Sequence, residues 1–330
     1  MFVKFSILST VAAFFVNYSI FATTENASPP SPPVNRGEAG KKVTVAAICI
    51  GTGGDHDEKV KQAIDYLNTA GQNKADIACL PEEFAGFNAE PIPGPTTNAI
   101  AKLACQYNMY VICPIREQAG DKQYNTAVLI NRKGEVVGSY RKVFVYWGEG
   151  LTPSKGGVKI FDTDFGKISI LTCFDLNFAE LWYEADALDA EIVFWPSAYG
   201  GGMPLNAYAM LYHYYIVPVG WGNIIDITGE NMKDVIKPKD GMFIATLDLD
   251  RTLIHTNFNT EKVAKLLEEP KDEVVQEHYY DMESWYLLKS VKPGVSVREL
   301  CKKYEIETLR QYQHRSRRQI NEVRETGGII

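Results

Sequence analysis

This chain has no excess of basic charge. Its 34 lysines and arginines are outnumbered by 41 aspartates and glutamates, a formal net charge of −7. That balance removes any global electrostatic case for nucleic acid or an anionic membrane surface. No internal repeat marks a solenoid. The glycine-rich stretch Gly51-Thr52-Gly53-Gly54 lacks both the G-x-G-x-x-G spacing and the G-K-[ST] ending, which leaves a plain turn in place of a phosphate loop. Asp55-His56-Asp57 falls short of a metal set and reads as a solvated loop with Asp57 capping the next helix. No metal or cofactor is expected. His56, His213, His255, His278 and His314 offer partners for a papain-like Cys–His pair, but no Cys-Gly-x-Cys-Trp context accompanies them.

The N-terminus departs from the rest. Met1-Phe2-Val3-Lys4 is short and basic, residues 5–21 are mostly apolar, and Ala22-Thr23-Thr24 precedes polar, Pro-rich sequence. This is the layout of a secretory signal, residues 1–24, and predicts export. A retained membrane anchor is the competing reading, because the run is close to spanning length. The polar residues inside it argue for cleavage and against stable membrane association. Residues 25–42 read as a Pro-rich linker, with a glycosylation acceptor at Asn26-Ala27-Ser28.

Six cysteines are present: Cys49, Cys79, Cys105, Cys113, Cys173 and Cys301. An even count in an exported chain invites a disulfide framework. Cys49, Cys79 and Cys113 nevertheless lie in apolar runs of strand character, where small buried thiols fit as well. Both readings stand at this level.

From residue 43 the chain alternates buried strands with helical faces. Residues 43–50 and 75–80 read as strands around a helix with apolar positions 60, 63, 64 and 67. That rhythm predicts parallel strands under helices. Residues 96–107 read as a helix and 109–115 as a strand. Residues 124–131 and 135–140 flank Arg132-Lys133-Gly134, a hairpin signal. Residues 167–172 read as a strand ending at Cys173, followed by helical spacing from Phe178. Residues 190–195, 216–221 and 243–249 are further strands. Residues 291–330 are a charged, helix-prone tail. Residues 297–304 have the character of the first half of a helix-turn-helix, but acidic residues are interleaved. A tail packing on a neighbouring subunit is preferred to nucleic-acid binding.

Cys173 at a strand-to-helix junction is either a buried structural thiol or a nucleophile on a rigid support near backbone N–H groups. Its company elsewhere decides between them. Leu80-Pro81-Glu82, Tyr140-Arg141-Lys142 and Leu171-Thr172-Cys173-Phe174-Asp175 each end a predicted strand. In that order they resemble the signature of the nitrilase superfamily of carbon–nitrogen hydrolases. Glu191 to Tyr199 resembles the segment that follows the cysteine helix there, and the likeness runs from about residue 43 to about residue 255.

The resemblance implies an α/β fold, a four-layer α-β-β-α sandwich, over residues 43–290, and a homodimer or higher homo-oligomer. It implies hydrolysis of a small amide through a cysteine thioester. Cys173 would be the nucleophile, Glu82 the proton carrier and Lys142 the oxyanion stabiliser, together with the backbone N–H of Phe174. Glu149 matches a second, orienting glutamate, and Glu83 replaces Glu82 if the strand register is off by one. Trp147, Ser197 and Tyr199 are candidate substrate contacts; for Trp147, Tyr199 and Trp195, core packing competes with pocket lining.

The departures are specific. Phe144 stands where the family often has histidine, and Asn177 where many members have arginine. Loss of that bidentate clamp argues against N-carbamoyl amino acid substrates. A pantetheinase- or biotinidase-like secreted amidohydrolase, nitrile hydrolysis and a catalytically silent binding protein on the same fold are the alternatives.

Overall fold

The computed structural model describes residues 39–52, 54–221, 223–269 and 272–329. The expected export signal, most of the linker and the Asn26 acceptor lie outside the described residues. Strand β1 (Lys42–Ile48) leads through helix α1 (His56–Gln72) to β2 (Ile77–Cys79), and α2 (Pro95–Tyr107) leads on to β3 (Tyr110–Ala119). These three strands pair in parallel, as a strand–helix–strand crossover allows. The cap of α1 is Asp55, whose side chain accepts from the N–H groups of Asp57 and Glu58; the expected cap at Asp57 is therefore corrected by two residues.

β3 runs four residues past the expected end and turns at Gly120, φ +63°, into β4 (Lys122–Ile130). β4 pairs antiparallel with β5 (Val136–Arg141) across the hairpin read from sequence. A second unit follows: β6 (Ile160–Asp162), β7 (Lys167–Ile170), a single turn of 3-10 helix at Cys173–Asn177, α3 (Ala179–Ala187), β8 (Ile192–Pro196), α4 (Met203–Tyr212) and β9 (Tyr215–Val219). β10 (Val235–Ile236) and β11 (Met242–Asp248) return to the first sheet. Its order is β10-β11-β1-β2-β3-β4-β5, and the second sheet has the order β6-β7-β8-β9.

Side-chain alternation builds the layers. Val43, Val45 and Ala47 of β1 join the core that also holds Ile168, Ile170 and Val193 of the second sheet. Ala46 and Ile48 face the other way, into a core with Ala63 and Leu67 of α1 and Ile100 and Leu103 of α2. Trp182 of α3 and Ala209 of α4 cover the outside of the second sheet. The stack is the α-β-β-α sandwich that the resemblance implied.

Beyond β11 the chain adds β12 (Thr252–His255), α5 (Thr260–Glu268), β13 (Val274–Tyr280), β14 (Trp285–Ser290), α6 (Val297–Lys303) and α7 (Leu309–Thr326). The three strands form their own sheet, order β12-β14-β13, which sequence reading did not anticipate. Ile254, Val263, Leu288, Val297 and Cys301 share one small core, so a boundary at residue 290 cuts through it. Val297 and Cys301 thus bury the face of α6, in the stretch read as half of a helix-turn-helix. No helix among the described residues is long and apolar enough to cross a membrane. All six cysteines are free thiols, which decides against a disulfide framework.

The first half of α7 docks on its own chain. Arg310 donates to Asp186 Oδ1 from Nε at 3.0 Å and to the Ala190 carbonyl at 2.9 Å, and His314 Nε2 lies 2.8 Å from Asp186 Oδ2. From Arg317 to Glu322 every residue is exposed. Asp186→Ala would strand a partly buried guanidinium, and is expected to lower unfolding free energy by about 2 kcal/mol. Amide exchange across residues 309–316 should then accelerate toward that of residues 318–326; unchanged protection would refute the docking role.

Candidate active site

Four chain segments converge at the carboxyl ends of the strands. The turn after β2 carries Glu82 and Glu83. The end of β5 carries Lys142, the loop beyond it Glu149, and the turn after β7 Cys173. Two of these residues hold unusual backbone: Glu83 has φ +45° and Cys173 φ +47°. Non-glycine residues in that region are strained, and such strain collects at functional sites. The kink splits the glutamate pair. Glu82 points to Lys142, with Oε1 2.8 Å from Nζ, while Glu83 accepts from Arg116 Nε at 2.8 Å. Glu82 is thus the inward carboxylate, and the register-shifted alternative at Glu83 does not apply.

Lys142 has no exposed side-chain surface. Its Nζ donates to Glu82 Oε1 and, at 2.5 Å, to Glu149 Oε1. Burial opposes the ammonium charge, but the Glu82 carboxylate, with Cys173 and Glu149, outweighs it and raises the lysine above its ordinary range. Glu82 Oε2 accepts the Ala198 N–H at 3.0 Å, and Glu149 Oε1 accepts the Tyr146 N–H at 3.0 Å. Asn125 Nδ2, on β4, donates to Glu82 Oε1 at 2.8 Å.

Cys173 opens its 3-10 turn after a two-residue gap from β7, and α3 follows at Ala179, one residue from the start expected at Phe178. Burial, then the negative charge of Glu82, push its thiol up to about 12, against the pull of Lys142 and a hydrogen bond with Ser197. The sulfur therefore rests protonated at neutral pH, beside a carboxylate that can take the proton. Phe174 is the second residue of the turn, where an N–H has no intrahelical acceptor. Trp195 Nε1 donates to the Cys173 carbonyl at 3.1 Å and pins the turn from below.

Asp175 ties the two sheets' contributions together. Its Oδ2 accepts from Tyr140 Oη at 2.8 Å and from the Thr172 N–H at 2.9 Å, and its Oδ1 accepts from the Phe144 N–H at 2.8 Å. Lys142 lies between Tyr140 and Phe144, so one carboxyl sets the distance between the lysine strand and the cysteine turn. Burial pushes Asp175 up to about 6, against the two backbone donors and Tyr140.

The candidate substrate contacts separate. Ser197 is buried, and its hydroxyl serves the Cys173 sulfur and the Tyr199 N–H at 3.0 Å. Trp195 is core. Tyr199 is 39% exposed, packs edge-on against Trp195 and lies near Cys173 at the edge of the cluster. Trp147 is 97% exposed, next to half-exposed Tyr146, in the long connection between β5 and β6, so it is not core. Asn125 and Asp175 are the contacts that sequence reading missed. Asn125 sits in an ordinary strand pattern, and Asp175 was quoted only as part of a motif. Among the described residues no cluster of three or more metal-ligating side chains is present.

A family model described as carbon-nitrogen hydrolase matches residues 42–252. The β-ureidopropionase of Arabidopsis thaliana is 34% identical over 166 residues, covering 43% of this chain and 39% of that protein. The chain thus matches about two fifths of that relative's length. The N-carbamoylputrescine amidase of Solanum lycopersicum is 27% identical over 227 residues, 62% of this chain and 76% of that one. Among solved structures, an amidase from Nesterenkonia sp. has the same fold at TM-score 0.55 and 18% identity, covering 64% of this chain and 91% of that one. A branch 10 member of the nitrilase superfamily from Saccharomyces cerevisiae aligns at TM-score 0.56 and 19% identity, over 68% and 95%.

Asp175→Asn places an amide N–H against the Thr172 N–H and is expected to cost about 1–3 kcal/mol. A carboxyl whose folded value lies near 6, above 3.8 for the free group, holds its proton more tightly in the fold. The stability it contributes is therefore greatest in acid and declines as pH rises from about 4 through 6. In urea unfolding, the native chain's margin over Asp175→Asn should be larger at pH 4 than at pH 7. Equal margins would contradict this assignment.

Proposed function

The chain belongs to the carbon–nitrogen hydrolase family of the nitrilase superfamily, and from that premise we propose that it hydrolyses a non-peptide carbon–nitrogen bond of a small amide through a thioester on Cys173. What carries the reading is a neutral thiol beside a buried carboxylate and a buried ammonium, at strand ends where a substrate can reach the sulfur. Cys173 Sγ attacks the carbonyl carbon while Glu82 takes the thiol proton. Negative charge on the oxygen is met by Lys142 and the Phe174 N–H. Collapse expels ammonia, which leaves with the proton held by Glu82. Glu82 then activates water against the thioester; the acid departs and the proton returns to sulfur. Glu149 holds Lys142 in place through both half-reactions.

The name of the Nesterenkonia protein, an amidase, supports this reading; in a Glu→Gln variant of that protein acrylamide adds to the active-site cysteine. A second reading is a ureido substrate, which the names of the Arabidopsis and Solanum relatives favour. Asn177 in the arginine position argues against the carboxylate-bearing members of that class. Further parts of the proposal are export and action as a homodimer or higher homo-oligomer.

Ammonia release measured across simple amides, nitriles and ureides should select amides. On the substrate so chosen, Cys173→Ala is expected to lower turnover on the order of 10⁴-fold or more, and Lys142→Met roughly 10²–10³-fold. Full turnover by the alanine variant would end the proposal.

A further inference from the structure

Lys142, Glu82, Asn125 and Glu149 close a ring of hydrogen bonds. The ammonium donates to Glu82 Oε1 and Glu149 Oε1. The Asn125 amide donates back to the same two groups, to Glu82 Oε1 at 2.8 Å and Glu149 Oε2 at 3.4 Å. Its main-chain carbonyl also accepts the Lys142 N–H at 2.9 Å. The amide orientation is forced, because the reverse would aim Oδ1 at two carboxylates. In the orientation adopted, Oδ1 is buried with no hydrogen-bond partner. A buried carbonyl left without a donor is unusual and calls for a reason. The reason lies on the other atom: Asn125 is kept for its two N–H groups.

We propose that Asn125 is a positioning residue for the acid–base step, resting on the function proposed above. It supplies neutral donors to two carboxylates that share a single cation. Its grip on Oε1 holds the Glu82 carboxylate in the orientation that presents it to Cys173 and to the Ala198 N–H. The charged and titratable groups around Glu82 are Lys142 from the end of β5, Glu149 from the following loop, Glu83 with Arg116 from the β2 turn and β3, Cys173 from its turn, and Tyr199 after β8. None of them can replace the amide. Lys142 is already committed, Arg116 serves Glu83, and the others add negative charge when ionised. Hydrogen bonds to the charged form favour that form, so their removal shifts the base toward its protonated state.

Alkylation of Cys173 by iodoacetamide reads this directly without a known substrate. The sulfur displaces iodide while its proton passes to Glu82, and mass spectrometry counts the adduct against exposed Cys105. The full chain and its Asn125→Leu and Asn125→Asp variants are followed from pH 5 to 9, with thermal unfolding alongside. The acid limb of the Cys173 rate is expected to move up by about one pH unit or more in Asn125→Leu, and further in Asn125→Asp, where a third carboxylate joins the ring. On that limb, read at pH 5, the rate should fall by up to roughly tenfold, while the rates at pH 8 to 9 stay close to native. If the leucine variant does not fold, the near-isosteric aspartate variant decides. Profiles that superimpose on the native one, or that drop equally at every pH, would overturn the positioning role. Native Cys173 reacting no faster than Cys105 would instead overturn the proposed function itself, and this inference with it.

Discussion

An ammonium group stripped of water is the constraint from which the centre of this molecule follows. Moving one into a protein interior costs several kcal/mol unless opposite charge and further hydrogen bonds replace the lost hydration. Lys142 meets that condition with two carboxylates, Glu82 and Glu149, at 2.8 and 2.5 Å. Two carboxylates around one cation leave a negative charge in excess. That excess is spread over neutral donors: the N–H groups of Ala198 and Tyr146 and the Asn125 amide. Burial, and after it the Glu82 charge, keeps the neighbouring Cys173 sulfur protonated until a reaction removes its proton.

The fold serves this cluster by bringing strand ends from two facing sheets to one place. Each sheet alone is ordinary. The first supplies the carboxylates and the lysine, the second supplies the cysteine turn, and Asp175 fixes the separation between them. The backbone pays locally for the arrangement: Glu83 and Cys173 both sit at positive φ. A relaxed conformation at residue 83 would bring its carboxylate out of line with Arg116 and disturb the aim of its neighbour.

The C-terminal addition is joined to the sandwich by apolar packing of Leu253, Leu287 and Leu309 into its core and by a set of charged contacts. Asp250 accepts the Val297 N–H at 2.7 Å and so caps α6, and Arg251 pairs with Asp226 and Glu277. Asp186, at the end of the helix that follows the cysteine turn, holds α7. The Arg251–Asp226 pair lies within residues 42–252, and the other contacts bridge from that region to the C-terminal addition.

Period-two apolar runs and 3.6-residue faces sufficed to read the β-α-β units, because burial on one or both faces leaves its mark on every residue of a strand or helix. The hairpin of β4 and β5 was legible in Lys133-Gly134, and Glu82, Lys142 and Cys173 in three short motifs at strand ends. The β13–β14 pair was not, since its strands are half exposed and their polar residues blur the alternation. Trp147 was open to pocket lining or core packing; its exposure decides against core packing, and nothing in a local pattern says which way a loop faces. Asn125 and Asp175 act across 43 and 35 positions of chain, on Glu82 and Tyr140 respectively. The first contact depends on the order of strands within one sheet and the second on how two sheets stack, and no local pattern carries either distance. The sequence by itself determined which residue types stand at the strand ends; only the tertiary structure decided which atoms meet there, because meeting is a property of packing between segments and not of any segment alone.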